Sequence, residues 1–262
     1  ICILFFIFPS FVILLIQEQK HKLKIKIFIS FSILILVISV ILIFLRFNEK
    51  DNDKIYDLNI SLIQLNTKNN ASSEFSIEER LEEINNIIIN NKSDLLIFGE
   101  NDFPYIIQDK NDLKYVSQNL PNNQSVIIGA TRKENSDFFN TFLLIEKKLI
   151  KDFDKIKLVP FGEFLPLRNF LNFLNFFVGN NDFSSGNKTR YIESSNGLKI
   201  LPVICYEIIF FNNLLNKINL SSQLLINITN DSWFGDFSGP YQHLYLSIMR
   251  AAEFNKPLIR VS

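Results

Sequence analysis

The stretch Lys199-Ile200-Leu201-Pro202-Val203-Ile204-Cys205-Tyr206-Glu207 decides the fold of this chain. Its apolar run, Ile200 to Ile204, predicts a strand that is buried on both faces, as in the parallel sheets of α/β proteins. The polar residues that follow mark the carboxyl end of this strand, where an α/β enzyme would hold a nucleophile. Cys205 is therefore a candidate nucleophile. The alternative is a structural thiol, because free cysteines are usually buried and behave as small apolar residues.

Two other segments support the first interpretation. Asp94 to Gly99 has the pattern of a strand that ends at Glu100, and a basic and then apolar run from Phe153 to Glu163 contains Lys155. Together the three segments supply a base, a cation and a nucleophile. We also expect a lowered thiol pKa at Cys205, because the start of a helix and a nearby cation both favour the thiolate.

Glu100, Lys155 and Cys205, in this order and each at a strand end, resemble the nitrilase (carbon-nitrogen hydrolase) superfamily. Three further motifs narrow the resemblance to the apolipoprotein N-acyltransferases, and it runs from about Asp57 to Ser262. The motifs are Leu158-Val159-Pro160-Phe161-Gly162-Glu163-Phe164-Leu165-Pro166, Cys205-Tyr206-Glu207 and Asn230-Asp231-Ser232-Trp233-Phe234-Gly235.

The resemblance implies an α/β fold: a nitrilase-like αββα four-layer sandwich preceded by transmembrane helices. It also implies an acyltransferase, in which Cys205 is the nucleophile, Glu100 the general base and later acid, and Lys155 the oxyanion stabiliser. Acyl transfer needs these three groups. A phospholipid would be the acyl donor, and the diacylglyceryl cysteine at the N-terminus of an apolipoprotein would be the acceptor. No cofactor is implied.

Other residues match positions that support the reaction. Glu163, Tyr206 and Glu207 are expected to support the site, although a solvated surface carboxylate is the alternative for each glutamate. Trp233 and Phe234 are expected to line the acyl pocket, and Trp233 could equally be an ordinary core residue. The chain departs from the family at Gly99, where a proline is usual, and at Lys157, where a histidine is usual. Lys157 could therefore be a surface charge only.

A Phe-rich segment from Phe164 to Phe183 follows the lysine motif directly. Its apolar residues could lie in a lipid interface beside the active site, where Phe173, Phe176 and Phe177 would contact the acyl chains. The alternative is that the segment packs into the core of its own domain.

The first part of the chain predicts membrane segments. Residues 27–45 contain no charge and are long enough to cross a bilayer, and residues 1–16 are expected to be part of an earlier span. The lysine-rich loop 17–26 should stay in the cytoplasm, which places the rest of the chain on the periplasmic side of a bacterial inner membrane. We expect 46–56 to be a linker and 57–262 a periplasmic catalytic domain.

Patterns within this domain predict alternating strands and helices, as in an α/β sheet protein. Strands are expected at Asp57–Leu65, Asp94–Gly99, Ser125–Thr131, Asn140–Ile145, Lys199–Ile204 and Leu224–Ile228, and helices at Ile77–Asn90, Asn111–Asn119, Glu207–Lys217 and Tyr241–Phe254.

Other chemistries have little support in the sequence. The net charge is zero, which gives no reason to expect nucleic-acid binding, and neither metal-ligand clusters, a Gly-rich phosphate loop nor a Gly-x-Ser-x-Gly elbow occurs. Two alternatives stay open: a membrane-anchored amidase or nitrilase that uses the same three residues with water, and a non-catalytic membrane scaffold. Because the chain begins without Met and ends on an apolar run, we expect a fragment of a longer protein.

Overall fold

The computed structural model describes residues 30–42, 56–65, 77–166, 182–214, 219, 221–235 and 237–262. The chain divides into two units, Ile1–Lys54 and Ile55–Ser262. In the first unit, residues 30–42 form helix α1, and most of its side chains are exposed. None of the helices within these ranges combines the length and the apolar character that crossing a bilayer requires. The predicted spans and loops of residues 1–56 lie mostly outside the described residues and stay predictions.

Two β-sheets form the frame of the second unit. In the five-stranded sheet, the first two pairs of neighbouring strands are parallel and the last two pairs are antiparallel. In the four-stranded sheet only the first pair is antiparallel. The five-stranded sheet has the order β1 (Ile60–Leu62), β2 (Leu95–Ile97), β3 (Ser125–Glu134), β4 (Asp137–Glu146) and β5 (Ile150–Asp154). The four-stranded sheet has the order β6 (Ile192–Glu193), β7 (Lys199–Ile204), β8 (Leu224–Ile228) and β9 (Leu258–Val261).

Helices connect these strands and cover the outer faces of both sheets. Among the described residues of this unit, the named α-helices are α2 (Ile77–Asn90), α3 (Lys114–Asn119), α4 (Phe211–Leu214) and α5 (Gly239–Phe254), and short 3-10 turns occur at Lys110–Leu113, Cys205–Ile209 and Asp231–Phe234.

Alternating side chains divide the core into three layers. On β7, Ile200 and Ile204 pack between the two sheets, whereas Leu201 and Val203 pack on the outer side against Phe254 of α5. On the five-stranded sheet, outward-facing residues of β2, β3 and β4 pack against α2 and α3. The arrangement is therefore helix, sheet, sheet, helix, which is the αββα four-layer sandwich expected from the resemblance. The continuous apolar run of β7 reflects burial of the strand on both faces.

Proline is tolerated within β7 because one side of the strand has little pairing. β6 pairs only with Lys199 and Ile200. At Pro202 the guanidinium of Arg190 takes the place of a β6 partner and donates to the carbonyl oxygen at 2.9 Å. A residue's N–H and C=O point to the same side of a strand, so the missing N–H of Pro202 leaves no ladder bond broken.

Most of the predicted elements are present, with differences at their ends. The helix Ile77–Asn90 and the strands Lys199–Ile204 and Leu224–Ile228 have the expected bounds. The single helix expected from Glu207 is wrong in its first part, which is a 3-10 turn, because Phe210 has a ψ of 74° that ends the turn before α4. Strands β5, β6 and β9 were not predicted. They are short, and charged residues interrupt the apolar pattern of β5 and β9.

Gly129 on β3 lies directly against the backbone of Glu100 and Asn101, so a larger residue at this position tests how tightly the two segments pack. A Cβ atom at this position would lie 2.6 Å from the backbone nitrogen of Asn101 and 2.7 Å from Cα of Glu100. We expect Gly129→Ala to lower the free energy of unfolding by about 1–3 kcal/mol, because backbone atoms must move to admit the methyl group. Denaturant unfolding measures this value. Gly162→Ala is the control, since its Cβ would meet Val159 at 3.4 Å or more; equal losses in both variants would contradict the expectation.

Candidate active site

The carboxyl end of β2 positions Glu100. The chain turns at Glu100 and Asn101, and the side chain of Asp102 stabilises this turn by accepting a 2.6 Å hydrogen bond from the N–H of Gly99. This bond needs a backbone N–H, which a proline at position 99 would lack. Glu100 itself is buried, with 7% of its surface exposed. The backbone N–H of Asn230, beyond the end of β8, donates to its Oε2 at 3.0 Å.

Lys155 follows directly after β5 and is almost fully buried, with 1% of its side chain exposed. Its Nζ lies 2.8 Å from Oε1 of Glu163 and 3.6 Å from Oε1 of Glu100. Burial lowers the pKa of Lys155, but the negative charges of Glu100, Cys205 and Glu163 outweigh burial and raise it above its ordinary value. Lys155 therefore stays protonated and supplies a fixed positive charge.

Asn140 on β4 connects the two glutamates and is not among the site residues predicted from the sequence. Its buried Nδ2 donates to Oε1 of Glu100 at 2.7 Å and to Oε1 of Glu163 at 3.0 Å. The other oxygen of Glu163 accepts from the N–H of Val159 at 2.9 Å. Each carboxylate is thus held by donors from several elements. The sequence signal for Asn140 was an amide within a mostly apolar strand, because a buried amide needs hydrogen-bond partners.

Cys205 directly follows β7 and is the first residue of the 3-10 turn. It has a φ of 51°, in the left-handed region that non-glycine residues rarely occupy. Glu100, Lys155 and Thr229 lie close enough to its thiol to shift the pKa of Cys205. The structure therefore brings Glu100, Lys155 and Cys205 together at the carboxyl ends of strands from both sheets.

The expectation of a lowered thiol pKa is wrong for the resting site. Burial and the negative charge of Glu100 raise the pKa of Cys205 to about 12, although Lys155 acts in the opposite direction. The predicted helix dipole contributes little, because the turn that begins at Cys205 has only five residues. The thiol is therefore protonated at neutral pH, and its reaction requires a base to accept the proton.

Glu207 lies in the interior, so the alternative of a solvated carboxylate is wrong. It is 1% exposed and forms a salt bridge with Arg190 at 2.6 Å. Burial raises the pKa of Glu207, but Arg190 and the N–H donors of the Lys155 loop outweigh burial and lower it. The carboxylate accepts from the N–H groups of Ile156 and Lys157 at 2.8 and 3.0 Å, and from that of Ile204 at 3.2 Å. Glu207 thus ties the loop that carries Lys155 to the strand that carries Cys205.

The predicted aromatic residues have different surroundings. The ring centroids of Tyr206 and Phe234 each lie 5.9 Å from the ring centroid of His243. Trp233 is 79% exposed, so it is not a core residue. The side chain of Lys157 is exposed, in contrast to that of Lys155. Phe173, Phe176 and Phe177 lie outside the described residues.

The described residues contain no group of three or more His, Cys, Asp and Glu side chains that could hold a metal ion. The site consists of one thiol, one buried ammonium group and two carboxylates that share the amide donor of Asn140. Such a group can deprotonate the thiol, direct it at a carbonyl carbon and stabilise the oxyanion that forms.

Comparisons with known proteins identify relatives of this chain. The apolipoprotein N-acyltransferase of Rhizobium rhizogenes is 36% identical over 181 residues, which cover 64% of this chain and 34% of the relative. The apolipoprotein N-acyltransferase of Brucella suis is 32% identical over 183 residues, which cover 65% and 34%. The chain thus spans about a third of the length of the curated relatives it matches.

Solved structures share the fold at low sequence identity. A CN-hydrolase superfamily protein of Xanthomonas campestris is 16% identical with a TM-score of 0.57, over 79% of this chain and 77% of its own. An amidase of Nesterenkonia sp. is 14% identical with a TM-score of 0.52, over 80% and 79%. The carbon-nitrogen hydrolase family model matches residues 59–262. This chain belongs to the carbon-nitrogen hydrolase family.

Proposed function

We propose that this chain carries the catalytic domain of an apolipoprotein N-acyltransferase. The observation that supports acyl transfer is the group of Glu100, Lys155 and Cys205, in which a buried carboxylate and a buried cation 3.6 Å apart both act on the charge state of the thiol. The names of its relatives favour an N-acylated lipoprotein as the product. The acyl donor is a phospholipid, and the acceptor is the diacylglyceryl cysteine at the N-terminus of an apolipoprotein.

The first half-reaction forms a thioester. Glu100 accepts the proton of the Cys205 thiol while Sγ attacks the carbonyl carbon of the phospholipid ester. A C–S bond forms, and the carbonyl electrons move to the oxygen, where Lys155 stabilises the negative charge. When the intermediate collapses, the ester C–O bond breaks and Glu100 returns the proton to the departing alkoxide. The products are an acylated Cys205 and a lysophospholipid.

The second half-reaction transfers the acyl group to nitrogen. The α-amine of the acceptor attacks the thioester carbon, and Glu100 takes a proton from the amine. A C–N bond forms, the C–S bond breaks, and the proton returns to Sγ. Glu163 and Asn140 keep Lys155 and Glu100 in place during both steps, and Glu207 holds the Lys155 loop against the end of β7.

The membrane location is part of the same proposal. Residues 27–45 cross the inner membrane of a bacterium as one of several spans, the basic loop 17–26 stays in the cytoplasm, and the catalytic domain faces the periplasm. The Phe-rich segment, with Phe173, Phe176 and Phe177, contacts lipid near Cys205. Trp233 and Phe234 contact the acyl chain, and the high exposure of Trp233 supports a role outside the domain's core.

An amidase or nitrilase with the same three residues is the second candidate. The fold neighbours include an amidase, which is the observation that favours it. In that case water would attack the acyl-enzyme in place of the amine. A non-catalytic scaffold has weaker support, because it would not require a cation and two carboxylates to be buried together beside a thiol.

Acylation of Cys205 is the direct test of the first half-reaction. We expect the full chain, incubated with phospholipid vesicles, to gain one fatty-acyl mass on the peptide that contains Cys205. Cys205→Ala should lose this mass while keeping its thermal stability. Peptide mass spectrometry makes the measurement. A serine that carries the acyl group, or normal turnover by Cys205→Ala, would exclude the mechanism. Subsequent release by water, with no transfer to a lipopeptide amine, would favour the hydrolase.

Lys155 is buried and Lys157 is exposed, so substitutions of these two lysines compare a charge inside the site with one on the surface. We expect Glu100→Gln and Lys155→Met each to lower the acylation rate by about a hundredfold or more, as loss of a base or an oxyanion donor does. Lys157→Met, the matched control, should change the rate little because its side chain is exposed. Single-turnover acylation measures all three. A dispensable Lys155 together with an essential Lys157 would show that the motif was assigned in the wrong register.

Titration of the thiol tests the electrostatics independently of any substrate. In wild type the pKa of Cys205 is raised to about 12, with Glu100 raising it and Lys155 lowering it. We therefore expect Glu100→Gln to move the thiolate midpoint to lower pH and Lys155→Met to move it to higher pH. Thiolate absorbance against pH measures both, and Lys157→Met should leave the midpoint in place. Shifts of the same sign in Glu100→Gln and Lys155→Met would contradict this assignment of charges.

A further inference from the structure

The backbone carbonyl oxygen of Cys205 has two side-chain donors. His243 Nε2 of α5 and Asn227 Nδ2 of β8 each lie 3.2 Å from it. Both donors are buried, at 2% and 0% exposure. The residue they hold has the left-handed φ of 51°, a conformation that persists only where surrounding groups enforce it. The two bonds therefore act on the strained backbone of the nucleophile.

The two donors are themselves connected through an ion pair. Asp231 Oδ1 lies 3.0 Å from Nδ1 of His243, and Asp231 Oδ2 lies 2.5 Å from Nη2 of Arg260. Arg260 Nη1 donates to Oδ1 of Asn227 at 2.6 Å. A closed path thus runs from the Cys205 carbonyl through His243, Asp231, Arg260 and Asn227 back to the same oxygen. We call this set of four side chains the carbonyl ring.

The carbonyl ring determines which ring nitrogen of His243 must carry a proton. The carbonyl oxygen of Cys205 has no hydrogen to give, so Nε2 of His243 must carry a proton to make the bond. His243 therefore donates to the backbone of Cys205, whereas Glu100 and Thr229 act on its thiol. Thr229 adds a second connection, because its hydroxyl donates to Oδ1 of Asp231 at 3.1 Å.

We propose that the carbonyl ring is a positioning device that holds the Cys205 backbone in its left-handed conformation and so directs the thiol at Glu100 and at the incoming carbonyl carbon. This proposal rests on the proposed acyl transfer through Cys205. In it His243 is a positioning residue, and Glu100 remains the base. Arg260 and Asp231 act through His243 and Asn227, because neither touches the carbonyl oxygen itself.

The test compares two substitutions of His243 with a matched control on the same helix. His243→Gln keeps an N–H donor near the position of Nε2, whereas His243→Leu removes it. Arg250→Met is the control: Arg250 also lies on α5 and donates to a backbone carbonyl of the same 3-10 turn, that of Ile208 at 3.0 Å, but it is not part of the carbonyl ring. Each full-chain variant is measured for thermal stability, for the kcat and KM of acylation by phospholipid vesicles, and for the rate of Cys205 alkylation by iodoacetamide.

We expect His243→Leu to lower kcat by about 10- to 100-fold with little change in KM, since small displacements of a reacting group have effects of this size. His243→Gln should recover most of that loss, and Arg250→Met should lower the melting temperature without lowering kcat.

Three outcomes would overturn the proposal. An equal loss of kcat in folded His243→Gln and His243→Leu would do so and would point to a proton-transfer role for His243. So would an equal loss of kcat in Arg250→Met, or normal kcat in His243→Leu. If His243→Leu does not fold, the comparison of His243→Gln with wild type decides, because a defect there contradicts the proposal.

Alkylation separates this proposal from the proposed function. If wild type forms no acyl-enzyme with phospholipid, the proposed function fails, yet the ring still predicts slower alkylation in His243→Leu and recovery in His243→Gln. Unchanged alkylation in His243→Leu would overturn the ring whatever the substrate is.

Discussion

The burial of Lys155 is the constraint on which the rest of the site depends. A protonated ammonium group with 1% of its surface exposed is unstable in a protein interior unless counter-charges and acceptors surround it. Glu163 and Glu100 supply the charges, and Asn140 holds both carboxylates in the positions that Lys155 requires. The same arrangement that makes the burial tolerable places a carboxylate and a cation next to the thiol of Cys205.

These charges also explain why the thiol rests in its protonated form. Burial and the negative charge of Glu100 raise the pKa of Cys205, because ionising the thiol would add a second negative charge next to the first. Transfer of the thiol proton to Glu100 instead moves the negative charge from carboxylate to sulfur and leaves the net charge unchanged. The same carboxylate that raises the pKa of the thiol is therefore the group that can accept its proton.

Each sheet of the sandwich contributes a different part of the site. The five-stranded sheet carries Glu100, Asn140 and Lys155, and the four-stranded sheet carries Cys205 together with Thr229 and Asn230. The apolar layer between the sheets sets their separation, and Glu207 joins the two halves by bonding to backbone N–H groups of both. A buried salt bridge with Arg190 satisfies Glu207 in this position.

The sequence by itself determined the α/β elements with strong periodicity and the residue types of the candidate site. An apolar run that ends in Cys-Tyr-Glu predicts both a strand buried on both faces and the residue type at its end, because these properties depend on neighbouring residues. Local patterns do not contain features that depend on partners far along the chain. These features are strands β5, β6 and β9, the amide of Asn140, and the carbonyl ring around Cys205.

The thiol pKa shows the difference most clearly. Local reasoning predicted a lowered value from a helix start and a cation, whereas burial and the charge of Glu100, 105 residues earlier in the chain, raise it. Electrostatic energies depend on distance and solvation in space, so only the tertiary structure decided which charge dominates.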